Sequence, residues 1–258
     1  MPESQLAGSG MGHDLPMKPT VVLVHGAWHG AWCFDRVMPL LEAAAVPAIA
    51  VDLPGHGKDA GPFTDLHGDA ARVVSVLDGI NGDVVLLGHS YGGAVVTEAG
   101  VHPAVKHVVY LCALALDEGE SCASALLDES ASLSQEGRPD IADGLLFHDD
   151  GTSTLTPSAA VACLYNDCDP DTVTWALANL GPHPMESFGQ SPSAIAWRER
   201  PSTYVVCSED MVVHPDLQVQ LAKRCTQSYV WPTSHSPFAS EPERVGSLLV
   251  GLAGGATD

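Results

Sequence analysis

Six short runs of apolar residues, rich in β-branched side chains, recur along the chain, and each is about the length of a β-strand. Most of them lack the alternation of polar and apolar positions that marks a strand with one face in water. We therefore predict strands buried on both faces, as in a parallel sheet covered by helices. The predicted strands span residues 20–26, 47–55, 83–90, 106–114, 202–210 and 227–235.

Between these runs, apolar residues recur at helical spacing. Pro39 interrupts the first such stripe, which begins at Phe34, so we expect a short turn there before the helix proper. Strands that alternate with helices predict an α/β fold with a doubly wound, mostly parallel sheet. The other predicted helices lie at residues 66–77, 94–101, 217–224 and 241–252.

Residues 117–200 interrupt this alternation, because they are rich in Asp, Glu, Ser and Pro and their apolar runs are short. An insertion of this size is too long for an ordinary connection. We interpret it as a helical cap laid over the strand ends of a core formed by residues 19–116 and 201–258. Residues 1–18 are expected to form a flexible arm. The short cap helices are predicted around residues 126–127, 145–147, 159–165 and 173–180.

The charge balance excludes several classes of partner. The chain has 11 Lys and Arg against 32 Asp and Glu, a formal net charge of −21. Because the chain has so few cations, it cannot form a large basic patch, and we expect neither nucleic acid nor an anionic membrane as a partner.

The seven cysteines are scattered and form no CxxC pairs, which argues against a disulfide framework and a structural metal. With no signal peptide and no apolar stretch of spanning length, a cytoplasmic protein is expected, while its oligomeric state stays open.

The segment VVLLGHSYGGAVV carries the clearest chemical signal. Its residues 88–92 match G-x-S-x-G between a predicted strand and a predicted helix, which is the context that a nucleophile elbow requires. Ser90 then stands at the end of the strand, beside the N–H groups and the positive dipole of the helix. We predict that Ser90 is a nucleophile.

A serine nucleophile needs a base, and the base needs a carboxylate partner. His235 follows the last predicted strand, at the same sheet edge as Ser90, and is the predicted base. Asp210 ends the preceding strand and is the predicted carboxylate. Glu209 and Asp117 are alternatives at the same edge. The chain order Ser, Asp, His is the order expected when a nucleophile elbow of this kind lies in a doubly wound α/β fold.

The remaining site residues follow from the loop after the first strand and from the cap. The backbone N–H groups of Ala27 and Tyr91 are the predicted donors of an oxyanion hole. Large apolar side chains could form the pocket walls, although each cap residue could equally be cap core. The predicted substrate-binding residues are Trp28 in the first loop and Leu164, Tyr165, Trp175 and Phe188 in the cap.

The segments HGAWHGAW, DLPGHG, GHSYGG, YVVCSED and SHSPF, in that order, resemble the α/β-hydrolase superfamily. More narrowly, they resemble its branch of plant methyl-ester esterases, hydroxynitrile lyases and bacterial esterases, over residues 19–254. The lyases of this branch have a Lys directly after the catalytic His and a Thr after the first-strand His. This chain has Ser236 and Gly26 at those two places, so the resemblance favours ester hydrolysis over cyanohydrin cleavage.

These features predict a serine hydrolase, a carboxylesterase that cleaves a small apolar or aromatic ester through an acyl-enzyme. No metal and no organic cofactor are expected, and a small-molecule ester is the expected partner. A lyase without cofactor, a thioesterase or a C–C hydrolase would use the same triad. A ligand receptor on the same fold is the alternative from another class, but such receptors usually lose a triad residue.

Overall fold

The computed structural model describes residues 18–132 and 137–254, with the side chains of 128–132 left out. The predicted N-terminal arm lies outside these ranges except for Lys18. None of the helices in the described part of the chain is long and apolar enough to cross a lipid bilayer.

A six-stranded parallel sheet forms the centre of the protein, in the order β2-β1-β3-β4-β8-β9. All six strands predicted from the apolar runs are present, although each is shorter than its run. Their bounds are β1 Thr20–Val24, β2 Ala48–Val51, β3 Val84–His89, β4 Val105–Leu111, β8 Ser202–Cys207 and β9 Gln227–Trp231.

Both faces of the sheet are covered, as the missing polar alternation predicted. On β1, Val22 and Val24 pack into one apolar cluster, while Val21 and Leu23 pack into a second cluster on the opposite face. Helices α2 (Leu66–Asp78), α3 (Gly92–Ala99) and α8 (Pro215–Ala222) contribute to the first cluster, and α1 (Met38–Ala43) and α10 (Pro242–Leu252) to the second. This arrangement confirms the doubly wound α/β fold.

The helices of the core lie close to the predicted positions. The break at Pro39 is present, because a 3₁₀ turn at Ala31–Phe34 precedes α1 and Pro39 occupies the first turn of that helix. The bounds are α1 Met38–Ala43, α2 Leu66–Asp78, α3 Gly92–Ala99, α8 Pro215–Ala222, α9 Pro237–Ser240 and α10 Pro242–Leu252.

The segment between β4 and β8, which we call the cap, contains both helices and a small antiparallel sheet in the order β5-β6-β7. Its helices are α4 Cys122–Ser132, α5 Pro157–Ala159 with a π-helical turn at Ala160–Leu164, α6 Pro170–Leu177 and α7 Ala196–Glu199, with 3₁₀ turns at Ile141–Gly144 and Met185–Gly189. Its strands are β5 Leu145–Phe147, β6 Thr152–Leu155 and β7 His183–Pro184.

The helix predicted at residues 145–147 is therefore wrong. These residues form β5, which pairs with β6 so that Leu145 lies opposite Leu155. A run of three apolar residues has no helical periodicity of its own, and the hairpin partner that decides its conformation lies several residues further along the chain. Phe147 is 69% exposed, so the run is also not a buried helix face.

Candidate active site

Ser90 lies directly after β3, at the sharp turn that leads into α3. Its φ is 54°, a left-handed conformation that is uncommon for a residue with a side chain. Within residues 84–97 it is the one residue that is not buried. The turn therefore exposes one hydroxyl at the carboxyl edge of an otherwise buried strand.

The two glycines of the motif, Gly88 and Gly92, are required because neither position has room for a side chain. A Cβ on Gly88 would lie 2.3 Å from the backbone O of Gly92. A Cβ on Gly92 would lie 2.5 Å from the O of His25, in the loop after β1. Any side chain at either position would push apart the strand, the helix and the first loop, so the tight elbow depends on both glycines.

Asp210 and His235 form a buried pair, with 2.7 Å between Asp210 Oδ2 and His235 Nδ1. Asp210 lies three residues after β8 and His235 four residues after β9, and these two strands are neighbours in the sheet. Both side chains are almost completely buried. Because the carboxylate accepts the proton on Nδ1, the other ring nitrogen of His235 is left as the basic one.

Among the described residues, neither alternative carboxylate contacts His235. Asp117 forms an ion pair with Arg198, with 2.5 Å between Oδ1 and Nη2. Glu209 is exposed, and the structure gives it a backbone bond from its N–H to the O of Thr233. Asp210 is thus the carboxylate that contacts the histidine.

The loop after β1 meets the elbow closely, since a Cβ on Gly26 would lie 2.8 Å from Ser90 Cβ. Ala27 follows directly, and Tyr91 follows Ser90. Among the described residues, no acceptor takes the backbone N–H of Ala27 or of Tyr91. Two neighbouring backbone donors are therefore available to a ligand at the elbow. They lie after β1 and β3, where the strand order reverses and ligands of open α/β sheets bind.

His89, Cys112 and His235 are the group in the described chain whose donor atoms, all within 4.8 Å of one another, could hold a metal. One candidate donor atom of each residue already has a partner in the described chain, although the buried His89 Nδ1 has none. His89 Nε2 and Cys112 Sγ both donate to the backbone O of His235, at 2.8 and 3.3 Å, and His235 Nδ1 is bonded to Asp210. Burial also raises the pKa of the Cys112 thiol well above its usual value, which disfavours the thiolate that a metal needs. We assign no metal to this group.

Five further histidines around the site are buried, and burial is the largest cause of a lowered pKa in each. The pKa of His29 falls from 6.5 to about 4, and that of His56 is also lowered. Neighbouring histidines lower the pKa further in each of them except His56. The pKa values of His25, His89 and His183 lie well below the ordinary value of histidine.

A second buried cluster joins the cap to the core. His56 Nδ1 donates to the O of Pro54, so its Nε2 accepts from His183 Nδ1 at 2.9 Å. His183 Nε2 lies 3.1 Å from Ser187 Oγ. No sequence pattern indicates these partners, because His56 and His183 lie 127 residues apart in ordinary loop contexts.

Tyr91, beside the nucleophile, is anchored through its ring and its hydroxyl. The hydroxyl donates to Asp69 Oδ2 at 2.7 Å, and the ring lies 4.7 Å from that of His183. Burial raises the pKa of the Asp69 carboxyl to about 6, against the opposing effect of its hydrogen bonds from Tyr91 and Thr64. The position of the Tyr91 backbone thus depends on groups from α2 and from the cap.

The predicted wall residues do not lie together. Trp28 and Phe188 contact each other, with ring centroids 6.1 Å apart, and Phe188 also stacks on Tyr91 at 5.6 Å. Trp175 packs on Trp32, against the cluster on the opposite face of the sheet.

Leu164 and Tyr165 are corrected to core residues. Each is only 1% exposed, and Tyr165 Oη is bonded to His29 Nε2 at 2.7 Å. Neither offers surface to a bound molecule in this conformation. Their burial depends on which residues of the first loop they meet, and the local sequence does not encode that.

The cap also contacts the loops that carry the buried pair. The Arg138 guanidinium donates to the backbone O of Asp210 at 2.5 Å. The Asp167 carboxylate accepts from the N–H of Ser234 at 2.8 Å and from its hydroxyl. Sequence reasoning missed both anchors, because each joins residues far apart in the chain.

The sequence matches the alpha/beta hydrolase family over residues 21–248. It is 28% identical over 258 residues to the alpha/beta hydrolase nvfD of Aspergillus novofumigatus, covering 94% of this chain and 99% of that protein. It is 29% identical over 262 residues to a pFDCC methylesterase of Arabidopsis thaliana, covering 93% of this chain and 97% of that protein.

A solved structure gives the same result for the fold. The crystal structure of a pyrethroid hydrolase from Sphingobium faniae superposes with a TM-score of 0.76 at 26% identity, covering 92% of this chain and 97% of that one. The family match over residues 21–248 includes all of β1 except Thr20, the elbow and both strands that precede the buried pair. The chain belongs to the alpha/beta hydrolase family.

Proposed function

We propose that the protein is a serine carboxylesterase, with Ser90 as nucleophile, His235 as general base and Asp210 as its carboxylate partner. The observation that carries the proposal is the buried Asp210–His235 hydrogen bond at the sheet edge where the strained elbow presents the Ser90 hydroxyl. Relatives named as esterases and hydrolases support the same reaction class.

The chemistry follows from the neutral imidazole. His235 Nε2 takes the proton of Ser90 as Oγ attacks the ester carbonyl carbon, and the carbonyl π electrons move onto the oxygen. The free N–H groups of Ala27 and Tyr91 stabilise this oxyanion. His235 then protonates the departing alcohol, and a water activated by the same nitrogen releases the acid from Ser90. Asp210 holds the Nδ1 proton and stabilises the imidazolium.

The proposed substrate is a small ester with an apolar or aromatic acyl group. The half-buried Phe188 stacks on Tyr91 and also contacts Trp28, so an apolar wall adjoins the proposed oxyanion hole. The net charge of −21 disfavours a strongly anionic substrate. All seven cysteines are free thiols, which supports a reducing compartment such as the cytoplasm.

Cyanohydrin cleavage is disfavoured by two positions. A departing cyanide needs a nearby cation, whereas the residue after His235 is Ser236, whose buried hydroxyl has no partner in the described chain. A Thr in place of Gly26 would bring its Cβ within 2.8 Å of Ser90 Cβ, so that lyase feature does not fit this loop.

The test is hydrolysis of p-nitrophenyl acetate, butyrate and phenylacetate by the wild type and by Ser90→Ala. We expect Ser90→Ala to lose at least about 10³-fold in kcat while its circular dichroism spectrum is unchanged. The matched control is Ser228→Ala, an exposed serine on β9, which should keep full activity. A loss below tenfold in Ser90→Ala, or Ser90-dependent cyanide release from mandelonitrile, would overturn the proposal.

A further inference from the structure

Gln218 is a fully buried amide on α8 that faces the loop carrying Asp210. Its Oε1 accepts from the N–H of Cys207 at 2.9 Å. Its Nε2 donates to the O of Val213 at 2.8 Å and to Asp210 Oδ2 at 2.7 Å. The orientation of the amide is fixed, because a flip would set its NH₂ against a backbone N–H and its oxygen against two acceptors.

The Asp210 carboxylate is fully buried and accepts four hydrogen bonds. Oδ1 accepts from the N–H groups of Val212 and Val213, at 2.7 and 3.0 Å. Oδ2 is shared by His235 Nδ1 and Gln218 Nε2, each at 2.7 Å. The amide of Gln218 is therefore the neutral donor that competes with the imidazole for one carboxylate oxygen.

We propose that Gln218 is a positioning residue of the esterase, which fixes the plane of the Asp210 carboxylate and moderates its pull on the His235 proton. This inference rests on the roles proposed above for Asp210 and His235. A hydrogen bond to an ionised group stabilises its charge and reduces the charge available to another partner. Without the amide, Oδ2 would attract the imidazolium more strongly, and the base would become neutral only at higher pH.

Gln218→Leu removes the amide at similar volume. We expect kcat to fall about 10- to 100-fold, because a carboxylate with one anchor fewer holds the imidazole less precisely. KM should stay within about twofold, since Gln218 does not reach the surface. The pH at which kcat/KM is half-maximal should rise by about one unit, the shift expected for one lost hydrogen bond to a charged group.

Gln218→Glu keeps the shape and tests the donor itself. A protonated Glu can donate to Asp210 Oδ2 and still accept from Cys207, but an ionised Glu would place a second negative charge beside Asp210. We expect activity within about tenfold of wild type at low to neutral pH and a new fall at alkaline pH. This variant also keeps the inference testable if Gln218→Leu does not fold.

The control is Leu221→Ala, which removes a buried side chain from the same helix without touching Asp210. It should lower the melting temperature and leave the pH profile unchanged. If Gln218→Leu behaves like Leu221→Ala, with wild-type kcat and pH midpoint, or if Gln218→Glu shows no alkaline limb, then Gln218 is only structural and the inference is overturned. Ser90→Ala and Asp210→Asn belong in the same series, because retained activity in those variants would instead overturn the proposed function.

Discussion

The carboxyl edge of the sheet and the cap are held in place by different kinds of contact. At the sheet edge, backbone ladders between neighbouring strands set the positions from which Asp210 and His235 extend. The cap is fastened by single side chains, such as Trp28 Nε1 donating to Ser153 Oγ at 3.1 Å, and by the pair of His56 and His183.

Because of this difference, the sheet edge and the cap are suited to different functions. Strand ladders repeat and are cooperative, so they hold the proposed reacting groups in a fixed geometry. Isolated side-chain contacts can change one at a time, so cap residues other than anchors such as Arg138 and Asp167 can vary the pocket without disturbing the triad. Substitutions at the sheet edge should therefore act on kcat, and substitutions in the cap should act on KM and selectivity.

The largest expected effect is at the sheet edge, in Asp210→Asn. An amide would donate to His235 Nδ1 and hold the imidazole in the wrong tautomer, so kcat should fall about 10³- to 10⁴-fold. Steady-state kinetics with p-nitrophenyl butyrate measure this loss. Glu209→Gln is the matched control, because it makes the same change at the neighbouring exposed carboxylate and should have no effect. Full activity in Asp210→Asn would show that the buried pair has no catalytic role.

The second effect concerns stability, and it involves the boundary between cap and core. The pKa values of the buried histidines are lower in the folded protein than in the unfolded chain. As pH falls, the unfolded chain therefore takes up protons before the folded protein does. Stability should therefore be lost as pH falls from about 6.5 toward 4, with about 3 kcal/mol from His29 alone. Urea unfolding across this range measures the loss.

The variant His183→Gln isolates the contribution of the cap to the slope of stability against pH. This variant takes up one proton fewer on unfolding, so its stability should depend less on pH between 6.5 and 4. The control is His148→Gln, at an exposed histidine of the same cap, which should keep the wild-type slope. Equal slopes in the two variants would mean that His183 takes up its proton at the same pH in the folded and unfolded chains, which would contradict its lowered pKa.

A smaller effect on stability is expected from Asp69, and it is opposite in sign to that of the histidines because it lowers stability as pH rises. Its pKa of about 6 lies above the unfolded value of about 3.9, so its ionisation in the folded state costs stability as pH rises from about 4 to 6. Relative to wild type, Asp69→Asn should gain up to about 3 kcal/mol between pH 4 and pH 7.5. A pH-independent difference in urea unfolding would contradict a buried, ionising Asp69.

The smallest effect is expected in the cap, in Phe188→Ala. Loss of this ring beside Tyr91 should raise KM for p-nitrophenyl phenylacetate about tenfold, with kcat within about threefold and little change for the acetate. Phe147→Ala makes the same change on the exposed face of the cap sheet and should have no effect. A fall in kcat with unchanged KM in Phe188→Ala would remove the distinction between cap and sheet edge.

The sheet and the residues at its edge were predictable because local signals and the chain order agree. Apolar runs predict the strands, and in a parallel sheet the ends of all strands lie at one edge, so Ser90, Asp210 and His235 could be placed without coordinates. The sequence favoured Asp210 over Glu209 and Asp117, and in the described chain Asp210 is the carboxylate that contacts His235.

The cap was predicted less well for a physical reason. Its strands are three or four residues long, except for the two-residue β7, and their conformation depends on partners that the local pattern does not reveal. Leu164 and Tyr165 look like pocket walls in sequence, yet they are buried against the core. Gln218 was missed for a similar reason, since a single Gln on a helix has no pattern that marks its contact with Asp210.

Labelling with a fluorophosphonate tests the central claim most directly, since the reagent reacts with a serine that a neighbouring base has activated. Intact-mass and peptide mass spectrometry should show one adduct per chain, on Ser90, in the wild type. His235→Ala should be labelled at least about 10³-fold more slowly. A principal adduct on another serine, or an unchanged rate in His235→Ala, would contradict the account of Ser90 as a nucleophile activated by His235.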